Sequence, residues 1–238
     1  MSKRRPIVLS IGGIDPCGGA GLLADTKTLE AHKVLPMGIS SAITFQVEDK
    51  IEGVKWENPE DLLKQLTLLL DSYQISVIKI GIIENLNVMN NILTEVNLKN
   101  PKITVIWDPV LTASAGFDFH GGFSSDDLSA VLKHIDIATP NYEEYMQLET
   151  NGNNVTWIVT SAGRNNDQDW LISNGEQRIY RTHPSASHKK HGSGCVFSSS
   201  IAANLALGYP LHKSILRTKK YMTGFLDSNK SLLGFHKR

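Results

Sequence analysis

Ile7-Val8-Leu9-Ser10-Ile11-Gly12-Gly13-Ile14-Asp15-Pro16-Cys17-Gly18-Gly19-Ala20-Gly21-Leu22-Leu23-Ala24-Asp25 is the stretch that decides the fold of this chain. Ile7 to Ile11 is a short, nearly continuous β-branched run closed by glycines, the pattern of a strand buried on both faces. Beyond the loop, Leu22, Leu23, Thr26 and Leu29 recur at helical spacing with charged residues between them, and the stretch ends near His32. The five glycines between Gly12 and Asp25 remove side chains where backbone must approach a ligand, while Asp15 and Asp25 supply acceptors. No Gly-Lys-Ser/Thr follows, so the loop is not a Walker loop, and it does not read G-x-G-x-x-G. A flexible surface loop is the plain alternative, weakened by so many special residues directly after a buried strand.

Working outward, further strands read at Gly38 to Thr44, Val77 to Ile80, Ile103 to Trp107, Ile135 to Ala138 and Val155 to Thr160. Helical stretches alternate with them at Pro59 to Ser72, Leu86 to Leu98, Ser125 to His134 and Tyr142 to Leu148. That alternation predicts an α/β fold of right-handed βαβ units, with a mostly parallel central sheet and helices on both faces. Ligands in such folds sit at the carboxyl ends of the strands, where the unusual loops of this chain fall. Trp170 to Ser173 and Gln177 to Arg181, joined through Asn174-Gly175-Glu176, predict an antiparallel edge hairpin. With 238 residues, 41% hydrophobic content and no Pro/Gly/Ser-rich linker, one domain over residues 1–238 is expected.

Lysine plus arginine balance aspartate plus glutamate, 24 against 24, so no global field draws nucleic acid or an anionic membrane surface. Ser2-Lys3-Arg4-Arg5 reads as a solvated terminus. Cys17 and Cys195 lack the paired spacing of a zinc site or a disulfide scaffold, which fits a reducing cytoplasm. The apolar run Ile7 to Ile11 is too short for a signal peptide, and no segment approaches membrane-spanning length.

His191-Gly192-Ser193-Gly194-Cys195 runs into the apolar stretch Val196 to Leu207 and places a reactive side chain beside an anion cradle. Gly192 and Gly194 let consecutive N–H groups approach a phosphate, and the following helix adds the positive end of its dipole. A cysteine in that first turn is expected to have a lowered thiol pKa. The alternative is an ordinary glycine-rich turn ahead of a core helix, with an inert cysteine. Asp108 ends a strand in Trp107-Asp108-Pro109-Val110, the usual place for a functional carboxylate. Asn141 is either a helix cap with Glu144 as its capping-box partner or, with Glu144, part of a magnesium site near a nucleotide.

Taken in order, G-I-D-P-C-G-G-A-G-L-L-A-D-T-K-T, K-I-G-I-I, D-P-V, T-P-N-Y-E-E and H-G-S-G-C closely resemble the hydroxymethylpyrimidine/phosphomethylpyrimidine kinases of thiamin biosynthesis, in the ribokinase-like superfamily. The resemblance covers nearly the whole chain. It implies a three-layer α/β sandwich and transfer of the ATP γ-phosphoryl group to a hydroxymethyl or phosphate oxygen of an aminopyrimidine, with ATP and Mg2+ as cofactors. By position it implies an anion hole at Gly192, Ser193 and Gly194 and a base at Cys195. Gly13 and Asp25 match pyrimidine-holding positions. Asp108, Asn141, Ser161 and Lys219 match the nucleotide and phosphate side, and Glu144 the magnesium. The expected partners are the small pyrimidine, ATP and a second copy of the chain in a homodimer, with neither nucleic acid nor membrane.

Four departures mark this chain. Where the family often reads T-A-L-T-A-Q-N-T, Thr44-Phe45-Gln46-Val47-Glu48-Asp49-Lys50 stands; an ungapped match puts Asp49 at the pyrimidine glutamine, while Gln46 keeps the residue type. Gln46 is preferred, because an amide both donates and accepts. Thr160-Ser161-Ala162-Gly163-Arg164 replaces the usual Lys-Gly-Gly-His and removes a phosphate-facing cation, for which Arg164, Lys189 and Lys190 are the candidate substitutes. A helix present in most relatives is expected to be missing between Leu148 and Val155, and the segment after Leu226 is short. These changes keep two alternatives open: a pyrimidine- or nucleotide-binding protein with little kinase activity, and a pyridoxal/pyridoxine kinase, the choice of ring falling at Phe45 and Gln46. His188 and His191 are assigned no direct role, Met37 and Met222 are read as core fillers, and Trp56 and Trp157 as packing.

Overall fold

The computed structural model describes residues 5–112, 116–117, 119, 124–148, 154–163, 168–181 and 188–236. Its frame is a nine-stranded sheet. The strands are β1 (Ile7–Ile14), β2 (Leu35–Val47), β3 (Lys50–Trp56), β4 (Ile75–Ile80), β5 (Thr104–Trp107), β6 (Ile137–Ala138), β7 (Thr156–Ala162), β8 (Gln168–Ser173) and β9 (Glu176–Arg181). They lie in the order β3-β2-β1-β4-β5-β6-β7-β8-β9, with β2 through β1, β4, β5 and β6 to β7 parallel and β3, β8 and β9 antiparallel. The strand order reverses between β1 and β4, and the crevice at such a switch point is where an open α/β sheet takes its ligand.

Alternation along each strand sends neighbouring residues to opposite faces. Leu9, Ile78, Val105 and Trp157 pack on one side against α2 (Pro59–Ser72), α3 (Leu86–Lys99), α4 (Ser125–Leu132) and α5 (Tyr142–Leu148), through Leu66, Ile92, Val131 and Leu148. Val8, Val77, Ile106 and Ile158 pack on the other against α1 (Gly21–Ala31), α6 (Ser193–Ala206) and α7 (Leu211–Leu226), through Leu29, Ile201 and Ile215. The result is a three-layer sandwich, as expected. Trp157 is buried and meets Tyr145 edge-on at 5.5 Å, and Met37 and Met222 pack against the core as gap-fillers.

Several expected elements are longer or shorter than their sequence patterns. β2 continues past Thr44 to Val47 and pairs with β3, an edge strand that sequence reading did not identify. β6 is only Ile137–Ala138, because the Asp136 carboxylate accepts the Val105 N–H at 2.8 Å and takes a ladder position. The edge hairpin turns on Asn174 and Gly175, both at positive φ (52° and 79°), the two-residue turn that suits strand twist. The expected loss of a helix before Val155 falls on residues 149–153, outside those described. Among the described residues no helix is long and apolar enough to cross a membrane.

Candidate active site

A cavity of about 300 Å³ opens over the carboxyl ends of β1, β4 and β5, and the start of α6 closes one side of it. Its wall brings together Gly13, Gln46, Asp108, Asn141, Ser161, Glu144 and the whole turn from His191 to Cys195. Residues separated by some 180 positions meet because the parallel strands deliver their loops to one end of the sheet.

The cradle is built on Gly192, which caps α6 at φ 70°. A Cβ there would stand 2.0 Å from Gly19 O, so only glycine lets this turn lie across the glycine-rich loop. Val196 N is bonded to Gly192 O at 3.0 Å, and the N–H groups before it, on Ser193, Gly194 and Cys195, precede the first intrahelical donor. Gly21 is crossed in the same way, its missing Cβ falling 2.2 Å from Gly13 O at φ 55°.

Cys195 lines the cavity, but its thiol is not the lowered one expected. Burial, with the charges of Asp108 and Asp25 adding to it, pushes its pKa up to about 12 against the pull of Lys79 and the Gly21 N–H. The helix end acts through partial charge, and two carboxylates with desolvation outweigh it.

Asp25 also departs from expectation. It is fully buried beneath the wall, and its oxygens accept from Ser10 Oγ, from Ser199 Oγ at 2.7 Å and from Lys79 Nζ at 3.1 and 3.2 Å. The cavity meets Lys79 instead. Lys79 is 1% exposed, also sits 3.4 Å from Asp108 Oδ2, and remains charged because the attraction of Asp25, Cys195 and Asp108 exceeds the burial that opposes it. Asp108 accepts from Ser198 Oγ at 3.0 Å; burial and Asp25 raise its pKa, with Lys79 and Ser198 opposing. Sequence reading took Val77 to Ile80 as a strand and gave Lys79 no role, although a lysine inside a buried strand is itself the signal of a paired buried charge.

Asn141 and Glu144 form the reciprocal capping box: Glu144 N donates to Asn141 Oδ1 and Asn141 N to Glu144 Oε2, both at 2.9 Å. Leu111 N adds a third bond, to Glu144 Oε1 at 3.3 Å. Both residues also line the cavity, so the cap does not exclude a role in binding. Burial pushes the Glu144 carboxyl up to about 7, with Asp108 and Glu143 adding repulsion and two backbone N–H groups opposing. A hard divalent cation fits this carboxylate: it would hold the acid ionised, bound directly or through water, since each oxygen keeps a lone pair beyond its one hydrogen bond.

Thr44 and Gln46 share one side of β2 and line the cavity, with Gln46 Nε2 donating to Thr44 Oγ1 at 2.8 Å. Asp49 sits in the β2–β3 turn, and Phe45, 55% exposed, is not part of the wall. The geometry therefore favours Gln46 over Asp49 and removes Phe45 from ring selection. Ser161, at φ 55°, donates its N–H to Asp169 Oδ1, and Asp169 Oδ2 pairs with Lys219, which links Lys219 to the wall at one remove. Of the substitute cations, Lys190 is buried and bonded to Asn229 and Ser231, Lys189 is exposed and not part of the wall, and Arg164 lies outside the described residues.

His191 gains a role that its sequence position did not suggest. It is 6% exposed, lines the cavity and holds Asp15 through Nε2 at 2.9 Å. Asp15 also accepts from the backbone N–H of Cys17, Gly19 and Ala20 and from the Cys17 thiol, so it staples the glycine-rich loop to the cradle. Burial would raise its pKa, but His191 and these donors bring it down to about 2. Asp15, Cys17 and His191 lie close enough to suggest a metal site, yet these bonds already account for their proximity.

A family model for phosphomethylpyrimidine kinase matches residues 15–237. A hydroxymethylpyrimidine/phosphomethylpyrimidine kinase of Saccharomyces cerevisiae is 30% identical over 256 residues, covering 93% of this chain and 46% of that protein. The chain thus spans about half the length of the yeast relatives it matches. A Staphylococcus aureus enzyme of the same description is 26% identical, over 91% of this chain and 86% of its own. Among solved structures, a Clostridium difficile phosphomethylpyrimidine kinase superposes with a TM-score of 0.72 at 24% identity, covering 92% of this chain and 98% of that one. A Bacillus subtilis pyridoxal kinase in complex with ADP gives 0.79 at 20% identity, over 98% and 97%.

Proposed function

The chain belongs to the phosphomethylpyrimidine kinase family, and from that premise we propose that it transfers the γ-phosphoryl group of ATP to hydroxymethylpyrimidine, its monophosphate, or both, in thiamin biosynthesis. The observation that carries this reading is the single cavity shared by Gln46, the Gly192–Gly194 cradle and Cys195, where an acceptor alcohol and a moving phosphoryl group can face each other. In phosphoryl transfer the protein positions the reactants and stabilises charge, and backbone N–H groups aimed at the transferring phosphoryl do both.

In this reading Gln46 and Gly13 hold the ring, and the N–H groups at the start of α6 receive the phosphoryl oxygens. The acceptor oxygen bonds to the γ-phosphorus, the bond from that phosphorus to the bridging oxygen breaks and ADP leaves. Cys195, as thiolate, takes the acceptor's proton. Because its resting thiol stands at about 12, loss of its own proton is the uphill part of the sequence. Asn141, Ser161 and Lys219 with Asp169 form the nucleotide side. Magnesium held by Glu144 would neutralise phosphate charge there. The protein acts in the cytoplasm, as a homodimer, which light scattering tests directly.

The test is ADP release by purified protein with Mg-ATP and, separately, hydroxymethylpyrimidine, its monophosphate and pyridoxal. Stimulation by a pyrimidine above the pyridoxal rate is expected. No stimulation by any acceptor would overturn the kinase reading and leave a binding protein, whereas a preference for pyridoxal would transfer the assignment to that vitamin.

A further inference from the structure

We propose that Lys79 is the positioning residue of the transfer centre, tying the carboxylates of Asp25 and Asp108 into one frame and supplying the positive charge that the Cys195 thiolate forms against. This rests on the kinase reading for its catalytic consequence, though not for its electrostatics.

Three elements converge on one ammonium. Lys79 comes from β4 beside Ser10 of β1, at the point where the strand order reverses. Asp25 approaches from α1 at 3.1 Å and Asp108 from the end of β5 at 3.4 Å. Cys195, with Ser198 and Ser199 bonded to those two carboxylates, belongs to α6. A buried lysine facing two buried carboxylates leaves the centre one negative charge in excess, and a thiolate would add a second. Among the described residues Lys79 is the cation that acts on Cys195, while Asp25 and Asp108 both oppose its ionisation. Asp25 has no face on the cavity, and the cavity-lining side chain it contacts is that of Lys79.

The test uses the full chain in a Cys17→Ser background, so that Cys195 is the single thiol. Its alkylation by iodoacetamide is followed against pH without ligands, beside kcat and KM for ATP. Lys79→Met is expected to slow alkylation about tenfold or more at each pH below the midpoint, a shift of at least one pH unit. It should lower kcat about a hundredfold and leave KM for ATP within about threefold, as for a group acting on the transition state alone. Lys79→Arg, which keeps the charge, should recover part of both losses. Asp25→Asn, nearly isosteric, removes an opposing charge and should shift the alkylation midpoint down; it stands as the test if Lys79→Met does not fold. Wild-type alkylation profiles in folded Lys79→Met, or in Asp25→Asn, would overturn the proposal. If wild type transfers no phosphoryl group but the alkylation shifts appear, the kinase reading fails and the electrostatic role of Lys79 stands.

Discussion

Gly192→Ala would place a methyl group where the cradle crosses the glycine-rich loop. The added Cβ would stand 2.0 Å from Gly19 O and 2.6 Å from Ala20 Cα, both backbone atoms that cannot rotate away. Real Cβ contacts essentially never fall below 3.0 Å, so the turn and the loop must part by about 1 Å. That displacement acts on the N–H groups that start α6, and a misplacement of this size costs on the order of a hundredfold in rate. Losing the alignment of one such donor removes about 3 to 4 kcal/mol of transition-state stabilisation, which is a hundred- to thousandfold in kcat. The left-handed φ of 70° adds roughly 1 to 2 kcal/mol of lost stability for any residue with a side chain.

Gly208→Ala separates the two effects. Gly208 also has a left-handed φ, 84°, but nothing lies within 4 Å of its missing Cβ. It should lose stability by a similar backbone term and keep its rate. The assay is steady-state ADP release at saturating Mg-ATP, with urea unfolding of both variants. A folded Gly192→Ala protein within about threefold of the wild-type kcat would refute the reasoning, because the cradle would then not be where the phosphoryl group is received.

Other outcomes follow from the same geometry. The Asp15 carboxyl, held at about 2 against roughly 3.9 when unfolded, contributes about 2 to 3 kcal/mol of stability above pH 4 that disappears as pH falls from about 4 to 2; urea midpoints across that range should show this decline in wild type and a smaller one in Asp15→Asn. With the free-enzyme Cys195 thiol at about 12, kcat/KM should rise with pH from 6 to 9.5 with no plateau, approaching about tenfold per unit, and Cys195→Ala should lose both the rise and most of the rate. A flat wild-type profile would place the proton acceptor elsewhere. Glu144→Gln keeps the cap on Asn141 N through its amide oxygen but loses the acceptor for Leu111 N, so the melting temperature should fall slightly while the Mg2+ concentration for half-maximal rate rises about fivefold or more. An unchanged magnesium requirement would reduce Glu144 to its cap.

Much of the fold was legible because its signals are local. Asn58, Pro59, Glu60 and Asp61 announce α2, Asn174-Gly175 announces the edge hairpin, and the β-branched runs mark the central strands. Of the missed elements, β3 carries weak periodicity, whereas α7 is amphipathic and its helical pattern was legible but went unread. β3 reads Lys-Ile-Glu-Gly-Val-Lys-Trp, an edge strand with a glycine inside and little burial. α7 buries Ser214 and Thr218 along with Ile215 and Phe225, so two of its inward positions look polar in sequence. In the site, the cradle and the capping box follow from spacing alone, whereas the place of Asp25 does not. Its distance from the cavity depends on Lys79 intervening from another strand, a contact 54 positions away in the chain.

The same long-range contacts explain the thiol. At its position in the first turn of α6, Cys195 receives a field equivalent to about half a positive charge, and taken alone that field would favour a thiolate. Asp25 and Asp108 bring two full negative charges into the same buried space, against the single cation of Lys79. Burial is the larger cause, the two carboxylates add to it, and the proton stays on sulfur. In the proposed reaction, receiving a phosphoryl anion and releasing a thiol proton make opposite demands on one short turn. The structure answers them with different groups: backbone N–H donors start α6, and among the described residues the side chain favouring the thiolate is Lys79, from beneath, on β4. A helix terminus by itself accounts for the anion hole. It does not account for a base.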